Sequence, residues 1–135
     1  MYKNRTQVRV RYGETDQMGV VYYGVYAQYF EVGRVEALRE LGLSYREMEE
    51  QGVMLPVSKL EVNYHRPAKY DDLLTIETTI TEMPGAKIDF DYRVFNAEDV
   101  LLTTGKVTLV FVSADRMRPR KAPAYFLEKI GTFFT

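Results

Sequence analysis

The sequence predicts an α+β domain in which a five-stranded antiparallel sheet curls around one long helix. A helical period of apolar residues runs from about Tyr23 to Leu41, and after Gly52 the period changes to two for most of the remaining chain. Strands that are segregated from helices in this way favour α+β over an alternating α/β arrangement. The 135 residues contain no repeat, low-complexity tract or linker, so we expect a single domain over residues 1–135.

The first two elements are a strand and the long helix. Val8, Val10 and Tyr12 alternate with polar residues, which predicts a strand with one buried face. The helix that follows carries an apolar stripe at spacings of three and four, formed by Tyr26, Phe30, Gly33, Ala37 and Leu41. Its apolar surface widens further through Val25, Tyr29 and Val32. A helix that is apolar on most sides is expected to be enclosed by the sheet.

A second, short helix is predicted directly after the first. Gly42 stands where a left-handed residue ends a helix. Ser44 and Glu47 have the spacing of a capping box, and Leu43 with Met48 has that of a hydrophobic staple. We therefore expect a helix that ends near Gly52.

The region of period two predicts four further strands in a meander. They cover about Leu60–Tyr64, Leu74–Ile80, Ile88–Val94 and Leu101–Val112. "MPG" and "NAED" are turn signals that bound the third of them. Pro123 is placed to start a terminal helix through Ile130.

Composition excludes several classes of function. Lys plus Arg number 18 and Asp plus Glu 19, so the net charge of -1 implies neither a nucleic-acid partner nor an anionic membrane. The N-terminus has no apolar signal region and no apolar run approaches ~20 residues, which predicts a cytoplasmic protein without an integral membrane segment. The absence of cysteine and the single His65 exclude thiol nucleophiles, thiolate zinc sites and sites that need two histidines. An enzyme of this composition that uses no redox cofactor would rely on a carboxylate.

The segment Val8–Leu38, "VRVRYGETDQMGVVYYGVYAQYFEVGRVEAL", resembles the opening of the hot-dog-fold acyl-CoA thioesterases, in the subgroup of 4-hydroxybenzoyl-CoA thioesterase. "VNYHRPAKYDDLLTIET" and "RPRKAP" are also similar to that family, so the resemblance covers nearly the whole chain. The resemblance implies a curved antiparallel sheet wrapped around a long helix, in agreement with the periodicity. It also implies an acyl-CoA substrate, at least a homodimer and often a homotetramer, and no metal or cofactor.

The family motif assigns roles to individual residues of the segment. The resemblance implies that Asp16 is the catalytic carboxylate and that the backbone N–H of Tyr23, at the start of the helix, polarises the thioester carbonyl. Many relatives carry His at the position of Tyr23, but a backbone donor does not depend on the side chain. The residues that we assign to substrate binding are Gly19, Val21, Tyr22, Arg66, Lys69 and Lys87. Further candidates for the coenzyme A phosphates are Arg118, Arg120 and Lys121.

Simpler structural roles compete with these assignments. Asp16 after Thr15 is also a favoured turn or cap residue. Glu14 either raises the pKa of Asp16 by like-charge repulsion or is a solvated loop residue, and we favour the second. His65 is expected on the surface, and Glu31 is expected to pair with Arg34 along the helix.

Two other functions remain open from the sequence. One is a hot-dog dehydratase or hydratase, which would need a catalytic histidine, and the other is a non-catalytic acyl-binding or scaffold protein. The sequence does not choose between Asp16 as nucleophile and Asp16 as general base, nor does it identify the acyl group.

Overall fold

The computed structural model describes residues 1–134 as a five-stranded sheet, a two-stranded sheet, one long helix and several short elements. The strands are β1 (Tyr2–Arg9), β2 (Val53–Met54), β3 (Val57–Tyr64), β4 (Leu73–Ile80), β5 (Lys87–Phe95), β6 (Leu101–Val110) and β7 (Val112–Ser113). The helices are α1 (Val25–Glu40), α2 (Tyr45–Glu50) and α3 (Ala124–Gly131), and short 3-10 turns cover Tyr12–Glu14 and Thr132–Phe134. No helix within residues 1–134 is both long enough and apolar enough to cross a membrane.

The main sheet has five antiparallel strands in the order β1-β4-β5-β6-β3. The prediction of a five-stranded antiparallel α+β fold is thus confirmed, but the prediction of a four-stranded meander is wrong. Only β4, β5 and β6 form a meander, whereas β3 lies at the far edge beside β6. The link from β3 to β4 therefore crosses the width of the sheet. Periodicity does not reveal this crossing, because it reports which face of a strand is buried and not which strand lies beside it.

The sheet wraps around α1, because residues of all five strands reach the helix. Tyr2 of β1 donates its hydroxyl to the Ala37 carbonyl at one edge, and at the other edge the ring of Tyr64 on β3 lies 5.4 Å from that of Tyr26. Between these edges Gly33 of α1 lies against β4 and β5. Five flat strands would span about 19 Å, while a helix with its side chains is about 10–12 Å wide. The sheet must therefore curve to make all of these contacts.

The centre of the core is the ring of Phe30, which is completely buried. It stacks on Tyr92 of β5 with ring centroids 4.3 Å apart and covers Gly105 of β6, where an added Cβ would lie 2.5 Å from the ring. Gly33 is equally confined, since an added Cβ would lie 2.6 Å from the Thr78 hydroxyl. These glycines let α1 and the sheet approach closely.

The predicted end of α1 and the predicted cap of α2 are confirmed. Gly42 has a φ of 78°, and the hydroxyl of Ser44 accepts a hydrogen bond of 3.0 Å from the Glu47 N–H. The predicted pair of Glu31 with Arg34 is wrong. Arg34 is buried and forms no ion pair among residues 1–134, and its side chain lies near Tyr92 and Tyr45 instead.

The first strand begins and ends earlier than predicted. It covers Tyr2–Arg9, and Tyr12 lies in a 3-10 turn with 78% of its surface exposed instead of on a buried strand face. The alternation of apolar and polar residues extends from Val8 to Tyr12 in the sequence, but the strand ends before Tyr12. The backbone turns at this point because the acidic side chain of Glu14 accepts a hydrogen bond from the Arg11 N–H.

A buried carboxylate joins three strands on the outer face of the sheet. Glu77 of β4 is 2% exposed and forms ion pairs with Arg5 of β1 at 2.8 Å and Arg93 of β5 at 2.7 Å, while Lys3 lies 3.8 Å away. Burial alone would raise the pKa of Glu77, but the hydrogen bonds from Arg93 and Arg5 and the nearby positive charge lower it below its ordinary value.

We expect Glu77→Gln to lower the free energy of unfolding at pH 7 by about 1–3 kcal/mol, since charge-assisted hydrogen bonds are lost. The pKa of Glu77 is lowered on folding, so its contribution is present above the unfolded pKa and is lost as the pH falls through the folded pKa. Urea unfolding of both proteins should therefore show a difference at pH 7 that shrinks below about pH 4. A difference that stays constant down to pH 2 would contradict this account.

Candidate active site

Asp16 lies in a tight turn between β1 and α1. Its backbone N–H donates to the Val20 carbonyl at 2.9 Å, and its own carbonyl accepts from the Gly19 N–H at 3.0 Å. Gly19 has a φ of 79°, which residues with a Cβ rarely adopt, so the glycine is required by the turn. The turn is anchored to the body of the domain where the Val21 N–H donates to the Ala68 carbonyl at 2.8 Å.

The carboxylate of Asp16 uses one oxygen to hold this turn and leaves the other available. Oδ1 accepts hydrogen bonds from the backbone N–H of Met18 at 2.8 Å and of Val20 at 3.4 Å. Within the described residues Oδ2 has neither a hydrogen-bond donor nor an ion-pair partner. The structural role as a turn residue and a chemical role are therefore compatible, because each oxygen can serve one of them.

The start of α1 presents an unpaired backbone donor. The Tyr22 N–H donates to the Glu14 carbonyl and the Val25 N–H to the Tyr22 carbonyl, both at 2.9 Å. No acceptor within residues 1–134 takes the N–H of Tyr23, which lies between them. Leading N–H groups of a helix carry partial positive charge, so this donor suits an oxygen that gains negative charge.

Asp16 and Tyr23 line the same cleft, which has a volume of about 310 Å³. Its wall comes from the turn, from α1 and from the end of β3 with the loop that follows. The lining residues are Asp16, Met18, Val20, Val21, Tyr23, Tyr26, Tyr64, His65, Arg66 and Pro67. The cleft is thus mostly apolar and aromatic, with a carboxylate and one arginine at its wall, as suits a ligand with an apolar portion and a charged portion.

Glu14 lies in a buried network of hydrogen bonds and not in solvent. It is 9% exposed, its side chain pairs with Arg11 at 3.0 Å, and it accepts the Tyr29 hydroxyl at 2.9 Å. Burial alone would raise the pKa of Glu14, but the hydrogen bonds from Arg11 and Tyr29 lower it overall. The favoured reading as a solvated loop residue is therefore wrong. Glu14 is an ionised anchor that ties the turn to α1.

The structure brings some of the predicted binding residues to the cleft and leaves others outside it. Val21 and Arg66 line it, and Gly19 is exposed on the turn that carries Asp16. Tyr22 is half exposed against the ring of Tyr23 and does not line the cleft. Lys69 lies next to Val20 through a single bridge.

Lys87 does not line the cleft of its own chain, because the structure places it at the opposite end of the sheet. It opens β5 and pairs with Val110, whereas the cleft lies where Tyr64 of β3 pairs with Thr103. Seven residues of β6 separate these two points, which corresponds to about 23 Å. Lys87 therefore does not reach the cleft of its own chain.

Sequence reasoning missed Tyr64 and underestimated His65. Tyr64 donates its hydroxyl to the Tyr23 carbonyl at 3.0 Å. His65 is exposed as predicted, with Nε2 3.1 Å from the Thr104 hydroxyl, but it also lines the cleft. Both lie about forty residues from the turn, so only the crossing of the link from β3 to β4 brings them near it. No local signal in the sequence reveals that crossing. Within residues 1–134, no three His, Asp or Glu side chains are grouped as ligands for a metal ion.

The chain matches the model of the thioesterase superfamily over residues 18–103. The matched region begins just after Asp16. The chain is 40% identical over 119 residues to the acyl-CoA thioester hydrolase YbgC of Escherichia coli O6:H1, which covers 88% of this chain and 89% of that protein.

Solved structures of similar proteins show the same fold. The chain superimposes on the DHNA-CoA thioesterase of Staphylococcus aureus with a TM-score of 0.91 at 34% identity, which covers 98% of this chain and 89% of the other. A variant of 4-hydroxybenzoyl-CoA thioesterase in complex with 4-hydroxybenzoyl-CoA gives a TM-score of 0.86 at 25% identity, with 96% and 99% of the two chains covered.

Proposed function

The chain belongs to the thioesterase superfamily, and we propose that it hydrolyses acyl-CoA thioesters to the free acid and coenzyme A, with Asp16 as the reacting carboxylate. The observation that carries the proposal is the shared cleft. It combines a carboxylate with one free oxygen, an unpaired N–H at the start of a helix and an apolar wall. These are the parts that thioester hydrolysis requires.

Each part has a defined task in the reaction. The N–H of Tyr23 donates to the carbonyl oxygen of the thioester and stabilises the negative charge that this oxygen gains when the carbonyl carbon is attacked. Asp16 either attacks that carbon through Oδ2 or removes a proton from a water that attacks it. In both routes the C–S bond breaks, and the sulfur leaves as the thiolate of coenzyme A and is then protonated. The first route gives an anhydride of Asp16 that water opens.

Oxygen labelling detects the first route. A single turnover in H₂¹⁸O with enzyme in excess over acyl-CoA leaves the label in Asp16 only if the carboxylate attacks and water then opens the anhydride at the side-chain carbonyl. Label that enters the free acid while Asp16 stays unlabelled means that water attacked the acyl carbonyl, either of the thioester with Asp16 as general base or of the anhydride, and trapping of the anhydride with hydroxylamine then separates these two cases. Mass spectrometry of the product acid and of the peptide that contains Asp16 reads both outcomes.

The activity itself is tested by release of free thiol from a panel of acyl-CoA substrates with short aliphatic, long aliphatic and aromatic acyl groups. We expect hydrolysis of at least one class. Saturable binding of acyl-CoA without hydrolysis across the whole panel would contradict the proposal and would favour a non-catalytic acyl-binding protein.

His65 provides the test against a hydratase or dehydratase, because it lines the cleft and is the single histidine of the chain. We expect His65→Ala to keep kcat for hydrolysis within about 10-fold of wild type, since loss of a general base costs about 10²–10⁴-fold. Steady-state thiol release measures this. Complete loss of activity in this variant would overturn the assignment of Asp16 and restore the histidine-dependent alternative.

A homodimer through β3 forms part of the proposal. β3 is an edge strand of the sheet and is exposed along nearly its whole length, with Val57 50%, Leu60 45% and Tyr64 51% exposed. A long edge strand with exposed apolar side chains pairs readily with a second chain. Two copies related by a twofold axis would pair their β3 strands antiparallel and extend the sheet to ten strands.

Such a dimer would complete the cleft with basic residues. Antiparallel pairing sets the Tyr64 end of β3, where the cleft lies, beside the Val57 end of the second copy. Lys87 lies at that Val57 end of its own sheet, and the hydrogen bond from the Arg120 N–H to the Phe111 carbonyl holds the segment "RPRKAP" there. The group formed by Lys87, Arg118, Arg120 and Lys121 thus faces the cleft of the other chain and suits the coenzyme A phosphates.

We expect Leu60→Asp to convert the dimer to a monomer, because it places a desolvated charge in the centre of the paired strands. Size-exclusion chromatography with light scattering gives the mass. The matched control is Met83→Asp, which alters a side chain of similar exposure, 42% against 45%, in the turn between β4 and β5. A wild-type protein that is monomeric at all concentrations, or a Leu60→Asp variant that remains dimeric, would contradict this interface.

A further inference from the structure

The turn that carries the Tyr23 N–H is fixed by backbone contacts before Tyr23 and by a side chain after it. On the preceding side, the Tyr22 carbonyl accepts the Val25 N–H at 2.9 Å. On the following side, the Tyr23 carbonyl accepts the Tyr64 hydroxyl at 3.0 Å, while its helical bond from the Tyr26 N–H is long, at 3.4 Å. The short hydrogen bond on this side therefore comes from β3 and not from α1.

The ring of Tyr64 is itself held in place. It packs edge-on against Tyr26, with an interplanar angle of 73°, and Tyr26 is buried in the first turn of α1. Burial raises the pKa of the Tyr64 hydroxyl above its ordinary value, so the hydroxyl stays protonated and able to donate at neutral pH. The hydrogen bond thus joins the edge strand to the start of the helix in a fixed geometry.

We propose that Tyr64 is a positioning residue for hydrolysis: its hydroxyl fixes the Tyr23–Gly24 peptide and so holds the Tyr23 N–H in place for the thioester oxygen. The inference rests on the proposed function. Donors act on an oxyanion only when they are already aimed at it, and a displacement of about 1 Å can cost up to about 10²-fold in rate. A carbonyl that accepts a hydrogen bond also makes the N–H of the same peptide a stronger donor, and here that peptide carries the Gly24 N–H.

The test is Tyr64→Phe, which removes the hydroxyl and keeps the ring against Tyr26. We expect kcat to fall about 10-fold with KM unchanged within about twofold, because a displaced donor weakens the transition state more than the bound substrate. The matched control is Tyr70→Phe, since Tyr70 is exposed to a similar extent, 55%, and lies in the loop that follows β3. Its kcat should equal that of wild type. Loss that appears only in KM, or a kcat of Tyr64→Phe within about twofold of wild type, would overturn the proposal.

A second readout does not depend on hydrolysis. In ¹H–¹⁵N NMR spectra the amide proton of Gly24 should move upfield in Tyr64→Phe, since its peptide carbonyl loses a hydrogen-bond donor, and should stay in place in Tyr70→Phe. An unchanged Gly24 resonance would overturn the hydrogen bond itself. If wild type hydrolyses none of the acyl-CoA panel while the Gly24 resonance moves, the proposed function fails and the catalytic role of Tyr64 fails with it, whereas the contact stands.

Discussion

Asp16→Asn is expected to lower kcat for acyl-CoA hydrolysis by at least ~10²-fold, the lower end of what a positioned acid–base group contributes. The substitution keeps the structural role of one side-chain oxygen and removes the chemical role of the other. The amide oxygen of asparagine can still accept the Met18 N–H at the position of Oδ1, so the turn is kept. The amide nitrogen that replaces Oδ2 can neither attack a carbonyl carbon nor remove a proton from water.

The matched control for this variant is Asp71→Asn. Asp71 is an exposed aspartate of the loop between β3 and β4, and its φ of 70° is one that asparagine tolerates. Asp71→Asn should keep the wild-type kcat, and both Asp16→Asn and Asp71→Asn should unfold at the wild-type temperature. A rate for Asp16→Asn near that of wild type would remove Asp16 from the mechanism.

Phe30→Ala is expected to lower the free energy of unfolding by about 3–5 kcal/mol, the usual cost of deleting a buried aromatic ring. Phe30 is fully buried, stacks on Tyr92 and closes over Gly105, whose missing Cβ makes room for the ring. No neighbouring side chain can occupy the space without moving α1 from the sheet. The variant should therefore lose activity at a lower temperature than wild type, because the Tyr23 N–H lies just before the first turn of α1.

Chemical denaturation at a fixed temperature measures this effect. Val32→Ala is the control on the same helix, since Val32 is 38% exposed and its truncation should cost less than about 1 kcal/mol. An equal loss of the free energy of unfolding in Phe30→Ala and Val32→Ala would mean that the contact between Phe30 and Gly105 does not hold the helix.

Periodicity predicted the elements of the fold because each is governed by local physics. The apolar width of α1 predicted enclosure by a sheet, and the glycine at Gly42 and the hydroxyl of Ser44 predicted where one helix ends and the next begins. The position of β3 beside β6 was not predictable in this way. Strand order depends on contacts between residues far apart in the chain, and alternation carries no information about them.

In the candidate site, too, the residues placed by local structure were predictable and those placed by long-range contacts were not. Asp16, Gly19 and Tyr23 lie within one short segment, and their arrangement follows from a turn and a helix start that the sequence displays. Tyr64 enters the site because β3 lies at the edge of the sheet beside the start of α1, whereas Lys87 lies outside the cleft of its own chain because it is at the opposite end of the sheet. Glu14 was misjudged because its partner Tyr29 lies fifteen residues away, on a face of α1 that periodicity alone assigned to the core.

A single-turnover experiment shows whether the Asp16 carboxylate carries out the hydrolysis. The substrate is an acyl-CoA that wild type hydrolyses, and it is mixed with an excess of wild type or of Asp16→Asn. Bound ligand and free thiol are followed in the same samples. We expect Asp16→Asn to bind the acyl-CoA with a Kd within about threefold of wild type, while thiol release slows by at least ~10²-fold. Thiol release by Asp16→Asn at the wild-type rate would contradict this expectation.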